Sequence, residues 1–281
     1  MDIENQLMIA VERMPAFPKS VQRVLELTRD PDVAPKAIVE TIEKDPVMTA
    51  RILRVINSAF YALPNKVAAV RHAVVLLGIN TVKNLAIRIA AVGMIPLNND
   101  AGLDADAYLL HSLGCAEVSR LIAQKLGDAD PTEAYIGGLL HDIGKILFAL
   151  YLPEPFRAAL AKSAAEGTAL HRAEQEWLGV DHTVAGTMLA RKWQFPESLV
   201  LCIRDHHRAP PAQGLGRSLF VANQIIKVRA FGDSGNREIA ALPDGFGGPL
   251  GNDYPSIAGS FPDLDRTLEQ ARGYAADRTR P

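Results

Sequence analysis

The sequence predicts an all-α protein made of two packed helical subdomains. Three observations carry that prediction: apolar residues recur at helical spacing, Asp, Pro and Gly signals for helix starts and stops follow one another at short intervals, and no alternating Val/Ile/Thr run is bounded by hairpin turns. Composition agrees. Of 281 residues, 48% are hydrophobic, 22% charged and 6% aromatic, a globular and helix-leaning usage that excludes a disordered chain and argues against an all-β sandwich.

Taken in order, residues 18–20 open a helix with Val21, Val24, Leu25 and Thr28 on one face, and Pro31 stops it. Asp45 and Pro46 combine a capping side chain with a proline in the first helical position, and the helix they open turns Met48, Ile52, Val55, Ile56 and Ala59 toward a core. Gly78 closes one helix and Asn80 is expected to cap the next, whose stripe is Val82, Leu85, Ala86, Ile89 and Gly93. These pieces make an N-terminal helical subdomain over residues 1–97. The Asn-, Asp- and Gly-rich segment 97–105 leads into a second helical unit over 98–231. That unit begins with a helix through His111 that Gly127 closes, followed by a helix opened in capping-box fashion by Asp130, Pro131, Thr132 and Glu133. The run Gly138-Leu139-Leu140-His141-Asp142-Ile143-Gly144-Lys145 comes next, and further helices are expected over 155–166, 169–178, 182–193, 197–207 and 216–230. From 232 to 259 there are seven glycines and three prolines in 28 residues, so 232–281 reads as an extension: a wrapping loop or a partly disordered one, then a short final helix near 263–276.

With 30 Lys+Arg against 32 Asp+Glu, the chain has a formal charge of −2, and no overall field draws it to nucleic acid or to an anionic membrane. Between 46 and 99, however, six basic residues (Arg51, Arg54, Lys66, Arg71, Lys83 and Arg88) occur with no acid. This stretch suits an anionic ligand or an acidic protein face, or pairs with acids such as Glu43 and Asp45; without aromatic interleaving or a nucleic-acid motif it argues against nucleic acid. Cys115 and Cys202 lie far apart in apolar contexts, as buried thiols of a reducing compartment do. No apolar run reaches the ~18 residues of a membrane span, and the start has no basic segment ahead of an apolar one, so no membrane partner is expected and the expected location is the cytoplasm.

Seven histidines punctuate the chain: His72, His111, His141, His171, His182, His206 and His207. His72 and His171 read as surface or structural residues. The adjacent pairs stand out, because an imidazole and a carboxylate on neighbouring helix positions, as in His141-Asp142, reach one metal ion together while the carboxylate bridges to a second. The succession His111, His141-Asp142, His182, His206-His207 resembles the HD superfamily of metal-dependent phosphohydrolases. That resemblance implies that His111, His141, Asp142, His182, His206 and His207 hold one or two divalent ions. A nitrogen-rich set with one bridging carboxylate suits iron or manganese. It implies a metal-activated water attacking a phosphoester, with Asp142 and Lys145 as the catalytic candidates and Lys145 meeting a phosphate or acting as an acid. The alternative is a set of interior histidines hydrogen-bonded across helices, with Lys145 solvated.

A narrower resemblance spans residues 7–230. Met14-Pro15-Ala16-Phe17-Pro18, Ile42-Glu43-Lys44-Asp45-Pro46, Asn57-Ser58-Ala59-Phe60-Tyr61, Ala73-Val74-Val75-Leu76-Leu77-Gly78, the 137–145 run and Trp193-Gln194-Phe195-Pro196-Glu197 keep the order and spacing of the HDOD family. HDOD proteins form an all-helical branch of the superfamily and are regulatory or output modules in bacterial signalling, so the second unit is expected to be HD-domain-like. Two departures from catalytic branches matter. The HD-GYP enzymes that hydrolyse cyclic di-GMP follow their histidine pair with a Gly-Tyr-Pro loop, whereas His206-His207 here precede Arg208-Ala209-Pro210-Pro211. The Asp that closes the catalytic metal shell is matched by Asn223, which keeps an oxygen donor and loses the charge. The expected function is therefore a signalling module that acts by binding another protein, with a degenerate or structural metal site. A metal-dependent phosphohydrolase acting on a nucleotide or cyclic dinucleotide is the second reading, and nucleotide or nucleic-acid binding through the basic stretch the third.

Overall fold

In the computed structural model, residues 3–27, 30, 32–58, 61, 63, 65–96, 98–208 and 213–277 are described, and every regular element among them is helical. The order is α1 (Ile3–Arg13), α2 (Lys19–Leu27), α3 (Pro35–Glu43), α4 (Pro46–Ile56), α5 (Val70–Leu77), α6 (Ile79–Val92), α7 (Ala105–Leu126) and α8 (Pro131–Leu140). It continues with α9 (Ile143–Tyr151), α10 (Pro153–Glu166), α11 (Leu170–Leu178), α12 (His182–Lys192), α13 (Glu197–Asp205) and α14 (Leu215–Val228). A 3-10 turn at Gly248–Leu250, α15 (Tyr254–Gly259) and α16 (Leu264–Asp277) complete it. The all-α expectation holds. Thr28, Pro31, Ala59, Phe60, Leu97 and the Ala209-Pro210-Pro211 segment lie outside the described residues.

The chain forms two compact units: Pro15–Met94, and Met1–Met14 together with Ile95–Pro281. In the first, Asp45 caps α4 by accepting from the Met48 amide at 2.9 Å, and its other carboxylate oxygen accepts from the Ser20 hydroxyl at 2.7 Å, tying the starts of α4 and α2 together. Such a cap contributes about 1 kcal/mol. Val21, Val24, Ile42, Ile52, Ile56, Val70, Ala73 and Val82 are fully enclosed. Asn57 fastens the chain after α4 to the approach to α5, exchanging hydrogen bonds of 2.8 and 2.7 Å with the Val67 backbone. The cap of α6 is Gly78, not Asn80. That glycine ends α5 and opens α6 in one step, which leaves Asn80 inside the helix. Of the six basic residues in the acid-free stretch, Lys83 and Arg88 are buried, whereas Arg51, Arg54, Lys66 and Arg71 are exposed.

In the second unit, Asp104, Asp130, Asp181 and Asp253 cap α7, α8, α12 and α15 by accepting backbone N–H bonds. Lys192, at the end of α12, donates to the carbonyls of Val11, Glu12 and Met14 at 2.7, 2.7 and 3.2 Å, a cation on the open C-terminal carbonyls of α1. Two glycines set the spacing of the helices that matter most below. A Cβ on Gly138 would come within 2.5 Å of the Cys115 carbonyl oxygen and 2.6 Å of the Ala116 amide nitrogen, so α8 lies directly on α7. A Cβ on Gly144 would overlap the His182 carbonyl oxygen and approach the Gly186 nitrogen to 2.8 Å, so α9 lies directly on α12. The glycine-rich stretch after α14 wraps back onto α7, with the Asp233 amide donating to the Ala107 carbonyl at 2.9 Å, and Ser234 is 1% exposed. Cys115 and Cys202 are buried and free. Among the described residues no helix is long and apolar enough to cross a membrane.

Candidate metal centre

His141 and Asp142 do not occupy consecutive positions of one helix, as the sequence suggested. They form the break between α8, which ends at Leu140, and α9, which begins at Ile143. Adjacent side chains on a continuous helix diverge by about 100°, and the break allows both to face one interior point. Around that point the fold gathers all six residues expected as ligands. The Asp142 oxygen Oδ1 lies 3.1 Å from His182 Nε2 and 3.4 Å from His206 Nε2, and His207 Nε2 lies 2.8 Å from His182 Nε2. The other oxygen, Oδ2, lies 3.3 Å from His141 Nε2, 3.9 Å from His111 Nε2 and 2.7 Å from Lys145 Nζ. Five of these ligand candidates are buried and His207 is half-buried.

Hydrogen bonds on the far side of the rings fix which nitrogen faces inward. His141 Nδ1 donates to the Gly138 carbonyl at 2.8 Å, His206 Nδ1 to the Ile203 carbonyl at 2.7 Å, and His182 Nδ1 to the Glu174 carboxylate at 2.5 Å. A carbonyl or carboxylate only accepts, so Nδ1 carries a proton in each of these rings, and in the neutral ring the lone pair that faces inward is that of Nε2. Lone pairs therefore face a carboxylate and one another, an arrangement that a cation at the centre relieves. The spacings have the right size. Ligands bound at about 2.0–2.2 Å stand roughly 3.0 Å apart at a right angle and about 3.4 Å apart at the tetrahedral angle; Asp142 Oδ1, His182 and His206 stand 3.1 to 3.4 Å apart, His207 lies 2.8 Å from His182, and the ligand atoms of all four lie within 4.8 Å of one another. His141 Nε2 and Asp142 Oδ1 are buried with no hydrogen-bond partner of acceptable geometry. The residues present fit a divalent ion.

Burial opposes charge on Asp142, but His141 and Lys145 outweigh it and hold the carboxyl well below its usual range. Burial also opposes the imidazolium of His182, yet Glu174 more than offsets it and the pKa is raised. His111 and His207 are pushed well down, chiefly by burial. His206 is pushed from 6.5 to about 3, again chiefly by burial. As pH falls, the unfolded imidazole of His206 therefore takes its proton first. Its contribution to stability is complete above about 6.5 and is lost progressively toward about 3. His111 and His207 act in the same direction and His182 in the opposite one, so we expect the urea midpoint of the metal-free chain to fall between pH 7 and pH 5; a midpoint constant across that interval would count against neutral, buried imidazoles at 111, 206 and 207.

Four residues of the centre were not expected from the sequence. Glu174 is fully buried; besides His182 Nδ1 it accepts from the His182 backbone amide at 2.9 Å. Its sequence signal was an acid on the buried stripe of α11, which runs Leu170, Ala173, Glu174, Leu178. Replacing Glu174 with Gln removes the charge behind His182, and we expect cation affinity to fall about 10- to 100-fold in a chelator competition titration. Cys115 lies one helical turn after His111, with Sγ 3.5 Å from His111 Nε2. His171, taken as surface or structural, stacks on His207 with ring centroids 4.3 Å apart. Ser234 accepts from Lys145 Nζ at 3.2 Å, and nothing in the residue pattern of a glycine-rich stretch marks it. Asn223 is buried on α14 with its side-chain oxygen unpartnered, and His72 is exposed.

The HDOD domain model matches residues 14–209, well over half of the chain. An uncharacterised protein of Treponema pallidum (strain Nichols) is 27% identical over 207 residues, covering 72% of this chain and 39% of its own length, so the chain spans about two fifths of that relative. Among solved structures, an HDOD domain protein of unknown function from Geobacter sulfurreducens superposes with a TM-score of 0.76 at 24% identity, covering 98% of this chain and 99% of that one. A chain from Shewanella amazonensis SB2B, provisionally described as a phosphohydrolase, superposes with a TM-score of 0.70 at 28% identity, covering 96% and 97%.

Proposed function

We propose that this chain, which belongs to the HDOD domain family, is a cytoplasmic regulatory module of bacterial signalling that works by binding a partner protein, and that its His–Asp centre holds a divalent iron or manganese ion for structure rather than turnover. The observation that carries this reading is the state of Lys145. In a working phosphohydrolase that ammonium would meet the substrate phosphate; here it is 1% exposed and bonded to Asp142 and Ser234. An ion at the centre would supply positive charge that binds the α8–α9 break, α12 and the end of α13 to one another, and Glu174 would keep His182 turned toward it.

For the partner, the unit Pro15–Met94 offers Arg51, Arg54 and Lys66 exposed in a stretch without acids, with Arg71 also exposed but 3.5 Å from Glu43, together with Val75 at 83% and Leu76 at 58% exposure. That chemistry suits an acidic protein face with an apolar centre.

The deciding experiment is anaerobic reconstitution with iron(II) or manganese(II), followed by metal analysis, thermal melting and a screen of phosphomonoesters, nucleotides and cyclic dinucleotides. We expect bound metal, a raised melting temperature and no turnover above that of the metal-free chain. Metal-dependent turnover would replace this reading with that of a phosphohydrolase, the description given to the Shewanella amazonensis chain. A chain that takes up no metal would remove the phosphohydrolase and the bound ion, and leave the partner-binding module with a degenerate site.

A further inference from the structure

We infer that this chain associates with a second copy of itself, the acidic outer face of α1 in one copy docking on the basic outer face of α4 in the other. The inference rests on the reading of the unit Pro15–Met94 as the partner-binding surface, and it names the partner.

Charge is divided unevenly along the chain. Residues 15–94 carry eleven Lys and Arg against six Asp and Glu, whereas the rest carries nineteen against twenty-six, so the formal charge of −2 combines a basic unit with an acidic one. Opposite net charges draw two copies together but do not choose a face. Two helices make that choice.

One side of α4 stands in water. Met48, Ile52 and Ile56 are buried, and Val47, Ala50, Arg51 and Arg54 lie on the other side at i, i+3, i+4 and i+7, all exposed. Val47 is 62% exposed. Lys66 extends this basic face, because the paired hydrogen bonds between Asn57 and the Val67 backbone hold its segment at the end of α4. The neighbouring acids are engaged elsewhere. Asp45 attracts Arg51 but is turned into its own helix cap and onto the Ser20 hydroxyl, and Glu43 lies 3.5 Å from Arg71 on α5.

Helix α1 has the reverse pattern. Leu7, Ala10 and Val11 are buried, and the outward face presents Met8 and Ile9 at 58% and 41% exposure between Glu4 and Glu12. Glu12 keeps a side chain 80% exposed; Lys192 lies 3.7 Å from it, with its ammonium bonded to the α1 carbonyls. Arg13 is exposed at the edge of this face, one turn after Ile9. An apolar centre between two carboxylates is the chemistry that the α4 face calls for: Met8 and Ile9 suit Val47 and Ala50, and Glu4 and Glu12 suit Arg51, Arg54 and Lys66. Each copy carries both faces, so the contact is heterologous. Two copies that exchange both faces close a pair, and copies that do not extend into a chain. A contact between two three-turn helices falls short of the ~1,600 Å² of a standard interface, so association should be weak, with a Kd of roughly 10–100 μM, and sensitive to salt.

The test is sedimentation velocity of the purified full chain over a wide range of concentration, in low and in high salt. The native chain should sediment faster as concentration rises, and high salt should weaken association about tenfold. Glu4→Lys with Glu12→Lys makes the α1 face basic, and Arg51→Glu with Arg54→Glu makes the α4 face acidic. All four side chains are exposed, so each double variant should melt near the native temperature and sediment as a monomer. An equal mixture of the two should associate again, since the basic α1 of the first meets the acidic α4 of the second while the native α1 of the second meets the native α4 of the first. A mixture that stays monomeric, or a native chain that is monomeric throughout, would overturn the inference. Should either double variant melt well below the native chain, Met8→Ser with Ile9→Ser takes its place; losing the apolar centre should weaken association about tenfold, and unchanged association would overturn the inference. A helical peptide patterned with Leu and Glu, unrelated to α1 in sequence, separates this inference from the reading beneath it. A native chain that stays monomeric yet binds the peptide, and loses it on Arg51→Glu with Arg54→Glu, overturns self-association and keeps the basic face as a protein-docking surface. A chain that does neither overturns both.

Discussion

Replacing Asp142 with alanine is expected to destabilise the fold by about 3–5 kcal/mol and to abolish cation binding. Most of that cost would come from Lys145. With Asp142 gone, an ammonium 1% exposed is left with the Ser234 hydroxyl at 3.2 Å, and a buried charge without its counter-ion is among the most expensive defects a core can carry. For a unit of this size each kcal/mol moves the melting temperature by about 2–4 °C, so a shift of roughly 6–20 °C should be read by calorimetry on metal-free samples. A double change, Asp142→Ala with Lys145→Met, separates the two contributions. Stability should largely return because both members of the pair are gone, while metal binding should not. A double variant as unstable as the single one would mean that the pair is not what holds this part of the core.

The second large effect is expected from one methyl group. Gly144→Ala puts a Cβ onto the His182 carbonyl oxygen and close to the Gly186 nitrogen, both backbone atoms of α12 that cannot rotate away. The two helices must part, and parting them draws His182 off Asp142 Oδ1, now 3.1 Å away. We expect a loss of about 3 kcal/mol from overpacking and at least about a tenfold loss of cation affinity. Gly137→Ala, on the preceding helix, is the matched control. Its Cβ would meet the Cys202 sulfur at 3.3 Å and methyl carbons of Leu215 and Leu199 at 3.8 and 3.9 Å, all side-chain atoms, and alanine favours helix over glycine by roughly 0.5–1 kcal/mol, so denaturant unfolding should show little or no destabilisation. Equal losses at 137 and 144 would show that the α9–α12 distance is not the determinant.

Much of the fold could be read from residues that act locally. Asp45, Asp104, Asp130 and Asp181 work within three residues of themselves, so the helix starts they set are local features; Asp45 and Asp130 were legible as caps, whereas Asp104 lay inside a predicted loop and Asp181 stood unnamed just before the helix expected from 182. Asn80 misled because Asn is a good cap in isolation, while Gly78 lets two helices meet with nothing between them. The break at His141-Asp142 was hidden for a related reason: no proline or capping pattern marks it, and His141 itself remains helical at φ −55 and ψ −36. The six ligand candidates were legible as residue types in a familiar order. Their geometry was not, because it depends on the two bare helix contacts at Gly138 and Gly144, which bring together segments far apart in sequence. Ser234 was invisible for the deeper reason that a coil has no period from which burial can be inferred.

The lysine clasp on α1 has a consequence for how the chain comes to be folded. Lys192 reaches back about 180 residues to the carbonyls of Val11, Glu12 and Met14, and everything between 15 and 94 belongs to the other unit. During synthesis α1 therefore emerges long before its docking site exists, and the intervening unit, compact over 15–94, is complete before that site is made. The unit that carries the His–Asp centre closes in a later step, which must recapture a segment made some 80 residues before the rest of it. Only α1 is assembled out of its order of manufacture, and any ion would be loaded only after the last of its ligands, His206 and His207, has been made.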